Sequence, residues 1–405
     1  MTLKRPQHFV FLGLTTFDSL PQREHALARQ LANDGHNVDF IEIPPSSAGR
    51  IRTFLDRLFS PVSMQNGFSY NGIPENLRIH TPPMVPTAVR NSLTPALDRW
   101  LFRKWFKRTF PRDSLADAIV MVMFPMWWKW YVDKSFLGAR CIIYDIADAL
   151  DIQGTSRKVL HKLEIAEAGL KDEVDVITYS AYEMRAEIEE KFPGIHSVRL
   201  PNAVSASFFN GAKRNGNHPR PGHIGFIGMM NSRWVDTELI EQIIRKFPEC
   251  TVSLIGPVES RFVRRYKKYR NLKLHGFVHH EALPHYLSRM DVAIIPFQRN
   301  NITRVVNPLK VYEYCTAGVP VVASWTEELE HMRDVVYLAH DEEQFLEKID
   351  VALREENLAL RQKRRAYAEK NSWTARIRTL YNAIGDVCPD LRAKTGPSQS
   401  SDSIG

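Results

Sequence analysis

The chain has 405 residues, more than one hydrophobic core usually organises, so two domains are the natural expectation. Hydrophobic residues make up 44% and charged residues 25%, a globular composition that excludes a disordered or fibrous chain. The net charge of +8 favours acidic partners, whether nucleic acid, anionic lipid head groups or phosphorylated substrates, and by itself does not choose among them.

In chain order, Lys4 and Arg5 precede the apolar run Phe9 to Leu12, which is too short for a secretory leader and reads as a first strand. Residues 21–33 read as a helix stopped by Gly35, and 37–43 as a second strand, giving a βαβ unit. Residues 118–124, 140–145, 174–179 and 197–200 read as further strands separated by helical stretches at 157–170 and 181–191, so a parallel sheet is expected. The stretch 208–222 is rich in Asn, Gly, Lys and Pro and reads as a linker. A second βα series follows, with strands at 223–227, 251–255, 272–274, 292–296 and 319–323 and a helix at 237–247. Residues 342–387 read as helical, and the Gly, Ser and Asp content after Pro389 marks a disordered tail.

Four cysteines, Cys141, Cys250, Cys315 and Cys388, lie scattered without metal-ligand or disulfide spacing, which fits a reducing cytoplasm. No apolar run approaches the roughly 18 to 20 residues that span a bilayer, so any membrane association is expected to be peripheral.

The most informative stretch is Asn307-Pro308-Leu309-Lys310-Val311-Tyr312-Glu313-Tyr314, followed by Gly318 and the buried-strand run Val319-Pro320-Val321-Val322. Asn307 reads as an N-cap and Pro308 as the first helical position; the unpaired N–H groups of the opening turn favour an anion such as a diphosphate. Lys310 adds a cation there. Glu313, three residues on and on the same helical face, can accept hydrogen bonds from ribose hydroxyls. The bland alternative is an amphipathic helix whose Lys and Glu form a surface pair worth under about 1 kcal/mol.

The pattern PLKxxEYxxxGxPVVAS resembles the donor-site signature of nucleotide-sugar glycosyltransferases with the GT-B fold. The resemblance implies an α/β protein of two Rossmann-like, doubly wound domains facing a cleft. The first, 1–207, would bind acceptor; after the linker 208–222, the second, 223–370, would bind the donor. A helix at 371–388 would cross back to the first domain ahead of the tail 389–405. Gly228 ends a strand where backbone can approach a ligand, and with no GxGxxG present NAD and FAD are not indicated. By the resemblance, Arg233 falls where a basic residue binds diphosphate, while Gly256 and Val278 approach the nucleobase. Each also has a plain reading as surface or turn chemistry. Many retaining members carry a Glu eight residues before the ribose-binding Glu; here Val305 stands there, leaving Thr303 and Arg304 to touch sugar or phosphate.

Tyr144-Asp145-Ile146-Ala147-Asp148 ends a predicted strand and resembles the YDxxD signature of bacterial polysaccharide-assembly glycosyltransferases, including teichuronic-acid and xanthan glucuronosyltransferase groups. The alignment makes Asp148 the base and Asp145 its orienting partner; helix capping by either is the competing reading. Asp145, Asp148 and Asp151 could also hold a divalent metal, but DxD is absent and no metal is expected. No cofactor is expected either, the nucleotide-sugar being a substrate. Gly13 and His25 are candidate acceptor contacts. Cations and aromatics interleave over residues 99–110, as on a helix facing an anionic membrane, and Trp127, Trp128, Trp130 and Tyr131 add a second aromatic cluster; either could instead be core. The combined expectation is a cytoplasmic glycosyltransferase, peripheral on the inner face of the membrane, moving a sugar from a UDP-sugar or another nucleotide-sugar to a lipid-linked or polysaccharide acceptor. An epimerase of the same fold, and a basic nucleic-acid or membrane-binding module, are the alternatives. Nucleic acid is not expected as a partner, because binding it leaves the Lys310 and Glu313 arrangement without purpose.

Overall fold

A computed structural model describes residue 3 and residues 6–17, 22–43, 73–83, 95–150, 157–211 and 222–392. Pro21, Asp151 and the stretches 212–221 and 393–405 lie outside the described residues.

Short apolar runs bounded by turns form strands buried on both faces, the pattern that parallel pairing requires. Seven build the first sheet: β1 (His8–Leu12), β2 (Asn37–Ile41), β3 (Leu77–His80), β4 (Ile119–Val122), β5 (Cys141–Ile146), β6 (Val176–Tyr179) and β7 (His196–Arg199). Their order is β3-β2-β1-β4-β5-β6-β7, every pairing parallel. The order reverses between β1 and β4, where Leu12 pairs with Val122, so the crevice outside the carboxyl ends of this pair is where an open α/β sheet binds ligands.

The second sheet comprises β8 (His223–Ile227), β9 (Thr251–Ile255), β10 (Leu272–Gly276), β11 (Val292–Ile295), β12 (Val321–Ser324) and β13 (Val336–Ala339). It is parallel in the order β10-β9-β8-β11-β12-β13, with its reversal between β8 and β11. One face packs Ile227, Ile295, Val311, Tyr314 and Val321 together; the other packs Ile224, Phe226, Ile240, Leu254 and Phe345.

Contacts divide the chain into two compact units, the second made of residues 180–186 and 201–376 and the first of the remainder. Residues 201–207 join the second unit because Val204 pairs with Ser372 and packs in its core beside Phe208. The helix Ala206–Gly211 occupies the start of the stretch read as linker. The helical region after residue 342 is three helices, Glu342–Leu353, Leu358–Lys370 and Trp373–Val387, because Asn357 caps the second with its side chain and Asn371 ends it. Residues from Ile377 on fall in the first unit, where the Tyr381 hydroxyl meets His36 Nε2 at 2.8 Å and Asp34 at 2.9 Å. The expected tail begins later than Pro389: Pro389–Leu391 forms a 3-10 turn, Arg392 bridges Leu3, and Asp390 pairs with Arg140. Strands β3 and β13 escaped the sequence reading because each is a four-residue edge strand with little periodicity to show.

The basic aromatic stretch is the helix Pro95–Thr109. Phe102 and Phe106 face inward and are buried, as are Trp127, Trp128 and Tyr131, so the aromatic wealth of this region is mainly core. Arg103 is tied to Asp133 at 2.8 Å. Leu97 and Trp100 remain outside, 53% and 56% exposed, with exposed Arg99, Lys104, Lys107 and Arg108.

Edge pairing in the first sheet turns on Asp39 of β2, a buried carboxylate that accepts from His8 Nε2 (2.6 Å), His80 Nε2 (2.6 Å) and Arg78 (2.7 Å). Burial opposes its charge, but these partners win and hold the carboxyl far below the ordinary carboxylate range. Its contribution is therefore present above the unfolded value near 3.8 and is lost as pH falls below it. Asp39→Asn should cost about 3 kcal/mol in urea unfolding at pH 7, and the deficit should shrink below about pH 4 as Asp39 of the unfolded wild-type chain takes up a proton that the folded chain still refuses.

Candidate active site

In the first unit, candidate site residues gather at the carboxyl ends of β1, β4 and β5. Asp145, next to last in β5, accepts a bidentate pair from Arg23 (Nε at 2.7 Å, Nη2 at 2.8 Å) and a hydrogen bond from Thr178 Oγ1 at 2.5 Å. With both oxygens taken and the group buried, Asp145 fastens the helix Arg23–Asn33 to the sheet rather than accepting substrate protons. Glu24 accepts from the amides of Leu14 (2.7 Å) and Thr15 (2.9 Å) and from Thr15 Oγ1 (2.5 Å), pinning the loop that leaves β1. His25 is buried between Phe17 and Phe40; its Nδ1 accepts from the Gln22 amide at 3.1 Å, which leaves the proton on Nε2, 3.2 Å from Thr15 Oγ1. A solvent-facing or ligand-facing His25 is thus corrected to a loop anchor. Sequence reasoning also passed over Arg23 and Glu24, since nothing in a polar first turn announces that it will be buried.

Gly13 follows β1 with both backbone groups engaged, its amide on Ile41 O (2.8 Å) and its carbonyl on Trp127 Nε1 (2.7 Å). A Cβ there would fall 2.7 Å from the Phe40 ring. Asp148, three residues beyond Asp145, is the exposed carboxylate of the pair. It lines a cavity of about 220 Å³ with Leu14, Phe124, Pro125, Tyr144 and Leu150. Surrounding protein pushes its carboxyl up to about 6, Asp145 adds to the rise, and Arg23 works against it; the side chain's remaining contact with water holds back part of that rise. Asp148 thus offers a carboxyl raised toward neutrality beside a cavity, as a general base requires, while Asp145 has both oxygens engaged by Arg23 and Thr178.

In the second unit, candidate site residues lie at the carboxyl ends of the other sheet. Three loops are laced together: Gly228 N bonds Ile255 O (2.9 Å), Met230 N bonds Pro257 O (2.8 Å) and Gly256 N bonds Gly276 O (2.8 Å). Gly256 adopts φ +133°, and a Cβ on it would meet Gly228 O at 2.1 Å, so no side chain fits between these loops. Val278 packs partly against the core. Arg233 is exposed, and its guanidinium has no partner among the described residues, whereas the exposed Arg304 pairs with Glu183 at 3.2 Å.

The clamp helix is Leu309–Ala317, and Val311 to Ala317 are all buried. That burial excludes the surface-pair reading of Lys310 and Glu313. Glu313 is 1% exposed, with Lys310 Nζ 2.5 Å from one oxygen and His280 Nε2 3.0 Å from the other. Burial works against its charge, yet Lys310 and His280 hold its carboxyl below the usual range. His280 had no sequence signal, being brought in by the turn before the helix Leu283–Leu287. Pro308, not Asn307, is the N-cap, and it makes no side-chain cap. Asn307 is drawn elsewhere: its Oδ1 accepts from the Asn202 amide (2.9 Å) and its Nδ2 donates to Glu328 (2.5 Å) and the Tyr312 hydroxyl (3.1 Å). Leu309 opens the helix, whose first amides lack intrahelical partners.

The two parallel-sheet domains have the GT-B fold, and residues 221–355 match the family Glycosyl transferases group 1, so the protein is a glycosyltransferase. The second unit thus carries a group 1 glycosyltransferase domain. Over 336 residues the chain is 24% identical to TuaH of Bacillus subtilis (strain 168), whose name places it in teichuronic acid biosynthesis as a glycosyltransferase; the match covers 76% of this chain and 77% of that one. The fold is similar to sucrose-phosphate synthase from Thermosynechococcus elongatus (TM-score 0.71, 13% identity, 95% of this chain and 99% of that one). It is also similar to Anabaena HepE in complex with UDP and glucose (TM-score 0.63, 13% identity, 94% and 100%).

Glu24 makes the first unit pH-sensitive. Burial outweighs its three donors and lifts its carboxyl from 4.5 to about 7. The folded chain therefore keeps a proton that the unfolded chain surrenders, and stability falls as pH rises from about 4.5 to 7, by roughly 3 kcal/mol at most. Urea unfolding of Glu24→Gln at pH 5 and pH 7 should lack this fall; a slope equal to that of wild type would contradict it.

Proposed function

We propose that this glycosyltransferase moves a sugar from a nucleotide-diphosphate sugar, a UDP-sugar by preference, to a hydroxyl of a lipid-linked or polysaccharide acceptor in cell-surface polysaccharide assembly. The observation that carries the donor side is the buried Glu313 held charged by Lys310 and His280. A carboxylate kept ionised out of water is a strong acceptor for ribose hydroxyls, and the helix start beside Lys310 suits a diphosphate. UDP is preferred because the similar HepE structure holds it. The TuaH relationship supports a surface polysaccharide as product.

In this reading the Asp148 carboxylate takes the proton of the acceptor hydroxyl as that oxygen attacks the anomeric carbon. The bond from that carbon to the diphosphate breaks with its electron pair on the phosphate oxygen. Lys310, Arg233 and the opening amides of the clamp helix receive the developing charge. Direct displacement inverts the anomeric centre, in keeping with Val305 where a retaining relative carries Glu. Asp148 opens onto a largely apolar cavity, which favours an acceptor with a greasy portion near its hydroxyl.

Lys310→Ala and Glu313→Ala should each weaken nucleotide-diphosphate binding at least tenfold, about 1.4 kcal/mol, whereas Asp148→Asn should abolish transfer and leave that binding nearly intact. Calorimetric titration of UDP and GDP into the three variants checks this, and product analysis with donor alone separates transfer from epimerisation. Unchanged affinity in both clamp variants would reject the donor assignment.

Among the described residues no helix is long and apolar enough to cross a membrane. Peripheral attachment to the inner face, with the enzyme in the cytoplasm, is supported by exposed Trp100, over whose ring Lys104 Nζ sits at 5.0 Å, beside exposed Leu97, Lys107 and Arg108. Lys104→Ala should lower partitioning onto anionic phosphatidylglycerol vesicles about fivefold and leave that onto neutral vesicles unchanged, read by co-sedimentation.

A further inference from the structure

Glu328 has no role in the chemistry above, yet it is a completely buried carboxylate. It lies in the short helix Glu327–Glu330 after β12, whose start is capped by Thr326. One of its oxygens accepts from Asn307 Nδ2 at 2.5 Å, the other from the Tyr182 amide at 2.7 Å. The Tyr182 amide belongs to the segment 180–186, which groups with the second unit although it lies beyond β6 in sequence. That segment has two further grips on the second unit: the Tyr182 ring packs 4.0 Å from His331, and Glu183 pairs with Arg304. Consecutive residues 182 and 183 therefore reach, through Glu328 and directly, the two side chains at the mouth of the clamp, Asn307 and Arg304.

Asn307 is the residue just before the helix cap, and its side chain is fully ordered by this network. Because the Asn202 amide donates to Oδ1, the Nδ2 group must point at Glu328. Asn202 Nδ2 also holds the Asn307 carbonyl at 2.7 Å. Replacing the carboxylate by an amide leaves one acceptor oxygen for two donors, so its NH2 opposes either Asn307 Nδ2 or the Tyr182 amide. One grip of the network is lost in each case: the hold on Asn307 at the entry to the clamp helix, or the hold on the segment 180–186.

We propose that Glu328 is a positioning residue for the donor: through Asn307 and the segment 180–186 it sets where the clamp helix begins, and so where the diphosphate is received. The inference rests on the donor reading given above. Calorimetric titration of UDP and GDP into wild type, Glu328→Gln, Glu327→Gln and Lys310→Ala tests it, because calorimetry separates affinity from the fraction of competent protein. Glu328→Gln should bind about tenfold more weakly at unchanged stoichiometry, while Glu327→Gln, on the same turn but outside the network, matches wild type. A Glu328→Gln protein with wild-type Kd, or one that loses only stoichiometry, would overturn the proposal and leave a purely structural role. If that happens while Lys310→Ala weakens binding, the positioning inference alone falls; if wild type binds neither nucleotide, the donor reading falls and takes the inference with it. Should Glu328→Gln fail to fold, Asn202→Ala, which removes only the side-chain hold on the Asn307 carbonyl, should weaken binding about threefold at full stoichiometry, and an unchanged Kd there also overturns it.

Discussion

A carboxylate deprived of water survives as an anion only if charge or well-aimed donors are brought to it, and Glu313 meets this condition with Lys310 on one oxygen and His280 on the other. Much of the second unit follows from that arrangement. The helix carrying Glu313 is enclosed from Val311 to Ala317, with Tyr314 reaching across to the Ile227 amide at 2.9 Å at the end of β8. The helix start is thereby held against the point where the strand order reverses, which is where open parallel sheets receive ligands. A surface helix with the same Lys and Glu would have neither the fixed direction nor the weakly screened field.

The first unit solves a related problem differently. Asp145 and Asp148 are three residues apart, yet one is saturated by Arg23 and Thr178 and the other faces a cavity. Identical side chains thus divide into one bound in a network that organises the loops and one whose carboxyl is raised toward neutrality. The like charge of the first helps raise the second, while Arg23 limits the effect. Structure and electrostatics are set by the same three groups.

The parallel strands were plain from sequence because a strand buried on both faces must be apolar throughout, and the runs around Phe9, Val120, Ile142, Val292 and Val321 are. The short edge strands at Leu77 and Val336 and the breaks at Asn357 and Asn371 were not, since four residues carry no period and an Asn cap inside a polar helix resembles any surface Asn. At the site, Lys310 and Glu313 were legible through their spacing and the Gly318 stop. What sequence could not show is burial: Asn307, an N-cap by residue type, is taken by Glu328 and Asn202, and His25, a candidate acceptor contact, is enclosed by Phe17 and Phe40. His280 and Glu328 come from distant turns, and only tertiary structure brings them to the clamp.

Arg23, Glu24 and His25 stand side by side at one helix start, and each fastens a different partner: β5, the loop after β1, and the preceding backbone. Adjacent helical residues diverge by about 100°, so the three directions are a property of phase. Adding or deleting a single residue at this point would rotate all three out of alignment together, so their shared phase fixes the length of the chain from Gln22 onward.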